Sequence, residues 1–191
     1  MQGNNKSYCL GIIKKTNEKM SGHQFHKKIG EVISQNFGDF SILRDNACGG
    51  KSLLALCYDL DRYKSEFSEA DMIILKDNRV KVIFEIEESN VTPTQVCGKI
   101  LAAALSRYCY PDNKKANNER KDIDDSVLFV QILNKDKMSN LGNKAYQIVH
   151  LEKAINEAIQ FSKIKKYKLY QFGMKDDFSG MIKGIREFME E

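Results

Sequence analysis

The sequence predicts an α/β fold, a central mixed β-sheet flanked by helices. Three observations predict it. Two β-rich runs, DMIIL (71–75) and VKVIFEIE (80–87), stand on either side of a turn-forming Asp77-Asn78 pair. A nearly all-apolar run, VLFVQIL (127–133), is of the kind that a sheet buries on both faces. Segments with helical apolar spacing flank and separate these runs, and the resulting order is helix, hairpin, helix, strand, helix, strand, helix.

The chain of 191 residues suits one hydrophobic core and is read as a single domain, 1–191, with 1–21 an irregular polar arm. A helix is expected over 23–37, with Phe25, Ile29, Val32 and Ile33 at helical spacing and Gly38 as its stop. The stretch 41–60 holds a short extended piece at 41–43, a Cys-Gly-Gly turn, and SLLALCYDL, which fits a strand or a short helix. In the hairpin, a three-residue loop, Asp77 to Arg79, sets Lys76 opposite Val80 and carries Asp71 opposite Glu85. A slip of one residue would move Asp71 to the other face. A loop at 89–93 leads to a helix over 94–108, with Thr92 or Thr94 as cap and Pro93 near its first turn. Segment 111–125 reads as a hydrophilic, ligand-contacting loop. A strand at 126–133 and a helix at 145–162 follow, the helix carrying Ile148, Leu151, Ile155 and Ile159. The last elements are a strand at 167–172 and a helix at 181–189.

Composition narrows the class. No apolar run approaches the 18 residues or so that cross a bilayer, and no signal peptide is evident. The five cysteines are irregularly spaced with no CxxC pair, which points to buried or partly buried thiols in a reducing cytoplasm. The net charge of +4 is unevenly spread. Lys14, Lys15, Lys19, Lys27 and Lys28 form one basic group, Lys114, Lys115, Arg120 and Lys121 a second, and Lys163, Lys165, Lys166 and Lys168 a third. Such groups suit phosphate contacts, and equally a solvated lysine-rich surface.

The chemistry-bearing feature is acidic. Glu85 and Glu87 are two apart on one strand and point the same way, and Asp71 joins them from the neighbouring strand. Their neighbours Ile73, Ile74, Ile83, Phe84 and Ile86 are built to be packed, so the charges need compensation. A lysine or arginine can supply it. A hard cation fits carboxylate ligands better, which makes Asp71, Glu85 and Glu87 candidate Mg²⁺ ligands, with Mn²⁺ as a substitute. A metal held there would activate water and polarise a phosphate. Acidic residues on a solvent-facing edge strand are the other reading.

Asp71, a 13-residue gap spanning a turn, and then Glu85-Ile86-Glu87, between two helices, resembles the core of the PD-(D/E)XK nuclease superfamily. That superfamily includes most type II restriction endonucleases. Its pattern calls for Asp at the start of the second core strand, then an acidic residue, any residue and Lys on the third. Asp71, Glu85 and Ile86 match, and Glu87 stands where the lysine is expected, as in the Glu-for-Lys variant of the BamHI-like group. The resemblance spans about 23–133. It implies a restriction-endonuclease-like core, Mg²⁺-dependent hydrolysis of double-stranded DNA, and a homodimer for double-strand cleavage. It further implies an acidic residue from the first helix, for which Glu31 is the match. Lys99 is the candidate for a lysine that has migrated to serve the role Glu87 cannot. Glu31 and Lys99 read equally as surface residues.

Other signals are weaker. Gly50-Lys51-Ser52 imitates the end of a P-loop, but Asp45 stands where the first glycine belongs. Lys51 can still approach a phosphate backbone through the Gly49-Gly50 turn. Arg107, Lys114, Lys115 and Lys144 are further candidates for DNA contact. His23 and His26 are three apart on a helix and lack an evident third metal ligand, with one expected to be packed and one exposed; His150 reads as partly buried. The sequence-level expectation is a cytoplasmic, Mg²⁺-dependent restriction-type endonuclease. The alternatives are a repair or recombination nuclease, and a non-catalytic nucleic-acid- or partner-binding protein with a vestigial core.

Overall fold

A computed structural model describes residues 23–89, 91–112, 119–137 and 142–191, with the backbone alone for 142–149. The arm expected at 1–21 lies outside the described residues. In chain order the elements are α1 (Gln24–Asn36), β1 (Ser41–Arg44), β2 (Leu53–Cys57), α2 (Arg62–Ser65), β3 (Glu66–Ala70), β4 (Met72–Lys76) and β5 (Arg79–Glu87). They continue with α3 (Pro93–Leu105), β6 (Tyr108–Asp112), β7 (Lys121–Asn134), α4 (Gly142–Ala158), β8 (Ile164–Phe172) and α5 (Ser179–Glu190). The strands form one mixed sheet in the order β1-β4-β5-β7-β6-β2-β3, with β8 beside β7. β4 runs antiparallel to both its neighbours, β1 and β5, and β7 and β8 continue parallel from β5. The α/β architecture expected from the pattern is the one observed.

Strand periodicity divides the core between two layers. Ile83, Phe129, Leu133 and Tyr167 face Val96 and Ile100 of α3 and Ile155 and Ile159 of α4. Phe84, Ile86, Val130 and Ile132 face Phe25, Ile29 and Ile33 of α1 and Met181, Ile185 and Phe188 of α5. The largely apolar runs of β5 and β7, interrupted by Lys81 and Glu85 in one and by Gln131 in the other, are the consequence: both strands are covered on both faces. Each such side chain contributes about 1.5–3 kcal/mol on burial.

The hairpin turn differs from expectation. Asp77 and Asn78 alone form it, both in the left-handed region (φ 53° and 61°), and Lys76 pairs with Arg79. Those angles suit the two-residue turn that matches strand twist. A bulge then restores the displaced residue: Leu75 pairs with Val80 but Ile74 pairs with Val82. Beyond the bulge Met72 is opposite Phe84, where the pairing of the two strands ends. Asp71 precedes β4, and its N–H donates to the Phe84 carbonyl, so the ladder does not extend to the expected Asp71–Glu85 pair; Asp71 meets β5 beside Glu85 instead.

Three further differences have local causes. SLLALC is strand β2, because β3 and β6 flank it. β3 escapes periodicity analysis because it ends the sheet, with only Ala70 buried among Glu66–Ala70. The expected 111–125 loop is largely strand: β6 takes in Pro111 and Asp112, β7 begins at Lys121, and only 113–118 lie outside the described residues. Cys48, Cys57 and Cys109 are buried free thiols as expected, whereas Cys97 is exposed. Among the described residues no helix is long and apolar enough to cross a membrane.

The loop between β1 and β2 closes tightly on the strand it leaves. The Gly50 N–H donates to the Asp45 carbonyl, and a Cβ at Gly50 would lie 1.9 Å from the Arg44 carbonyl oxygen. The close approach is to the protein's own backbone at Arg44, and the strand that follows rules out P-loop geometry. Gly50→Ala is expected to cost about 1–3 kcal/mol in chemical denaturation, since the backbone must move to admit one methyl group.

Candidate active site

Asp71 occupies the single residue between β3 and β4, and its backbone is gripped from both sides. Its N–H donates to the Phe84 carbonyl of β5 and its carbonyl accepts from the Asp45 N–H. Its carboxylate reaches across the register to accept from the Ile86 N–H at 2.6 Å. Glu85 lies on β5 between the two residues that Asp71 bonds, Phe84 and Ile86, and Glu87 follows on the same face as Glu85 at the strand end, half-buried.

α3 brings the cation. Its start is fixed by a capping box in which Thr92 Oγ1 accepts from the Gln95 N–H and the Gln95 side chain accepts from the Thr92 N–H, with Pro93 in the first turn. Thr92, rather than Thr94, is the cap. Two turns further on, Lys99 Nζ donates to Glu85 Oε2 at 2.8 Å, while its own side chain stays partly open to solvent. Lys99 thus meets the acidic strand.

Glu85 is 1% exposed, and its second oxygen, Oε1, is buried with no hydrogen-bond partner. Gln131 sits beside it on β7, in register and on the same face. Its Oε1 accepts from the Tyr167 hydroxyl at 3.0 Å, and its Nε2 has no partner. Two residues adjacent in the sheet thus each carry a buried polar atom without a hydrogen-bond partner. Such atoms are costly unless something binds them.

Burial, then the neighbouring Asp71, pushes the Glu85 carboxyl up to about 8, and the pull of Lys99 only partly offsets this. Burial also raises Asp71, to about 6, against the lowering effects of His26 and the Ile86 N–H. Burial works against the Lys99 charge, but Glu85, Asp71 and Glu87 outweigh it and hold the ammonium above its usual range. At neutral pH the site favours a shared proton or a bound cation over two free carboxylates.

α1 contributes differently from expectation. Glu31 is exposed and about 140° around the helix from the side that meets Asp71. That side carries His26, buried, with Nε2 3.7 Å from Asp71 Oδ2 and Nδ1 3.0 Å from Glu88 Oε1. Glu31 is therefore not brought to the carboxylates. As expected of the pair, His26 is packed and His23 exposed, while His150 is exposed rather than partly buried. HxxH was a visible signal for His26, but its partner Glu88 becomes apparent only from the turn at the end of β5. Gln131 carried no signal, since it reads as one polar residue in an apolar run.

The three carboxylates do not converge as tightly as proposed ligands of one ion. Among the described residues, the group whose ligand atoms all lie within 4.8 Å is His23, His26 and Glu88. Of the candidate DNA contacts, Lys51 is exposed on the loop whose Asp45 grips Asp71. Arg107 lies past the far end of α3, away from Asp71 and Glu85. Lys114 and Lys115 lie outside the described residues, as does the side chain of Lys144. Much of the remaining basic charge is paired: Lys163 with Asp125, Lys168 with Glu152, Arg120 with Asp122 and Lys121 with Glu119.

Compared with known proteins, the chain matches no family model, no curated protein and no solved structure.

The raised carboxyls have a direct consequence for stability without metal. Their contribution is complete below about pH 4 and is lost as the pH rises through about 6 for Asp71 and about 8 for Glu85. Urea unfolding of the metal-free protein should lose on the order of a few kcal/mol between pH 5 and 9. Glu85→Gln should flatten the upper part of that decline. An equally steep decline in Glu85→Gln would show that another group causes it.

Proposed function

We propose that the protein is a Mg²⁺-dependent DNA endonuclease of the restriction type, with a PD-(D/E)XK-like core in its Glu-for-Lys form. The observation that carries this reading is the 2.8 Å contact of Lys99 with Glu85. The motif departs from its pattern at Glu87, and α3 returns a lysine to the carboxylate that the pattern would pair with one. The topology supports the reading as well. Helix α1 precedes three adjacent antiparallel strands, β1, β4 and β5, with β2 and β3 inserted in the chain between the first two; Asp71 stands just before the second of the three and Glu85 and Glu87 on the third.

The donor set fits a hard cation. Asp71 and Glu85, the latter through its unpaired Oε1, would hold it, and Glu87 stands at the open strand end beside them. When bound, Mg²⁺ would supply charge neutralisation at the phosphate and a water of lowered pKa. Lys99 keeps Glu85 Oε2 occupied and presents its ammonium to a developing phosphorane charge. Glu87 orients or deprotonates the attacking water. Lys51, at the same end of the sheet, contacts the DNA backbone. One such domain cuts one strand, so double-strand cleavage calls for a homodimer. A cytoplasmic location goes with this reading.

One observation favours a second reading, a non-catalytic nucleic-acid- or partner-binding protein with a vestigial core. The Lys99–Glu85 ion pair already compensates one buried charge without metal. It leaves Oε1 unpaired, which is why the nuclease reading is preferred. A repair or recombination nuclease shares the same chemistry and differs in its DNA substrate.

Plasmid cleavage separates these readings. With Mg²⁺, the wild-type chain should give discrete fragments; nicking confined to junctions or flaps would mark a repair enzyme. Asp71→Asn, Glu85→Gln and Lys99→Ala should each slow cleavage by at least about 100-fold. Glu31→Ala should cleave as the wild type does. Intact plasmid under all metal conditions would favour the non-catalytic reading.

A further inference from the structure

The geometry points to a second cation site, formed by His23, His26 and Glu88, that takes a single divalent transition ion, Zn²⁺ being the best matched. It is independent of the nuclease reading and lies on the other side of Asp71 from Lys99.

One ligand atom from each of the three residues lies within 4.8 Å of the other two. His26 Nδ1 and Glu88 Oε1 are 3.0 Å apart. Two donors bound at about 2.0–2.1 Å with a tetrahedral angle sit about 3.3 Å from each other, so this pair is close to coordination spacing already. His23 is one helical turn before His26, and the two rings meet edge to face with centroids 5.5 Å apart. Glu88 is held in place because Oε1 also accepts from the His26 backbone N–H at 3.0 Å. Two imidazoles and one carboxylate, with a fourth position open where His23 is exposed, form a borderline-soft donor set. That set suits Zn²⁺, Co²⁺ or Ni²⁺ and not Mg²⁺.

The remaining nitrogen of His26 provides an independent observation. Metal-bound histidines commonly give their other ring N–H to a carboxylate. Here Nε2 lies 3.7 Å from Asp71 Oδ2, a gap that a small ring movement closes. With an ion on Nδ1, the ring proton resides on Nε2 and faces Asp71. Without one, a neutral ring that donates from Nδ1 to Glu88 turns a bare lone pair toward the Asp71 carboxylate. The ion therefore sets the tautomer of His26 and ties Asp71 to α1. His26 acts here as a positioning residue.

The test is titration of the full chain with Zn²⁺ against a chromophoric chelator, with Co²⁺ absorption in the visible as the report on tetrahedral geometry. Wild type should bind one ion per chain tightly. His23→Ala and Glu88→Gln should each weaken binding by about 10–100-fold and lose the tetrahedral Co²⁺ spectrum. Glu85→Gln should retain both. Thermal unfolding without metal checks the fold of each variant, and His23→Ala, at an exposed position, decides the matter if Glu88→Gln is unstable. Unchanged affinity in His23→Ala would overturn the proposal. So would binding lost in Glu85→Gln and kept in His23→Ala, since that places the ion on the carboxylates. Neither result depends on whether the protein cuts DNA.

Discussion

Glu85 is a carboxylate set into a strand whose neighbours on both sides are apolar, and the cost of its charge organises the structure around it. Lys99 satisfies one oxygen from α3, and the other is left without a partner. Asp71 lies next to it and adds its own negative charge. Buried ion pairs are often no more stabilising than well-packed apolar residues of similar volume. That cost to the fold is what commends the group as the proposed site.

Several separate elements have to agree for that site to exist. The two-residue Asp77-Asn78 turn sets one register and the bulge near Ile74 and Leu75 shifts it by one residue, which brings Met72 opposite Phe84 and Asp71 to the Phe84 carbonyl. The Thr92 capping box fixes where α3 begins, and with it the height at which Lys99 meets the sheet. Gly50 lets the loop after β1 fold back on Arg44, next to the Asp45 N–H that grips the Asp71 carbonyl. Local choices of turn, cap and glycine thus converge on a few ångströms of space.

The parts of this that were legible in the sequence are the parts governed by periodicity and local chemistry. The apolar run of β7 announces a strand covered on both faces, and the Asp-Asn turn with its flanking β-rich runs announces a hairpin, though not that β5 is covered on both faces. Thr92-Pro93 marks the start of α3, and Lys99 was identified from its position after the acidic strand. What was not legible depends on non-local packing. Glu66–Ala70 lacks a pattern because it is an edge strand, and the bulge leaves no mark in composition. His26 displaces Glu31 because Phe25, Ile29 and Ile33 set the rotation of α1 against the sheet. Gln131 becomes notable only once its neighbour across the ladder is known to be Glu85.

In the proposed nuclease, Asp71 and Glu85 share a hard cation while Lys99 remains on the second Glu85 oxygen. Anomalous diffraction from crystals of the protein with Mn²⁺ tests this directly. A peak bound by both an Asp71 oxygen and Glu85 Oε1, lost in Glu85→Gln, is expected. Density confined to other positions, with the Lys99–Glu85 pair unchanged and Oε1 unbound, would contradict it.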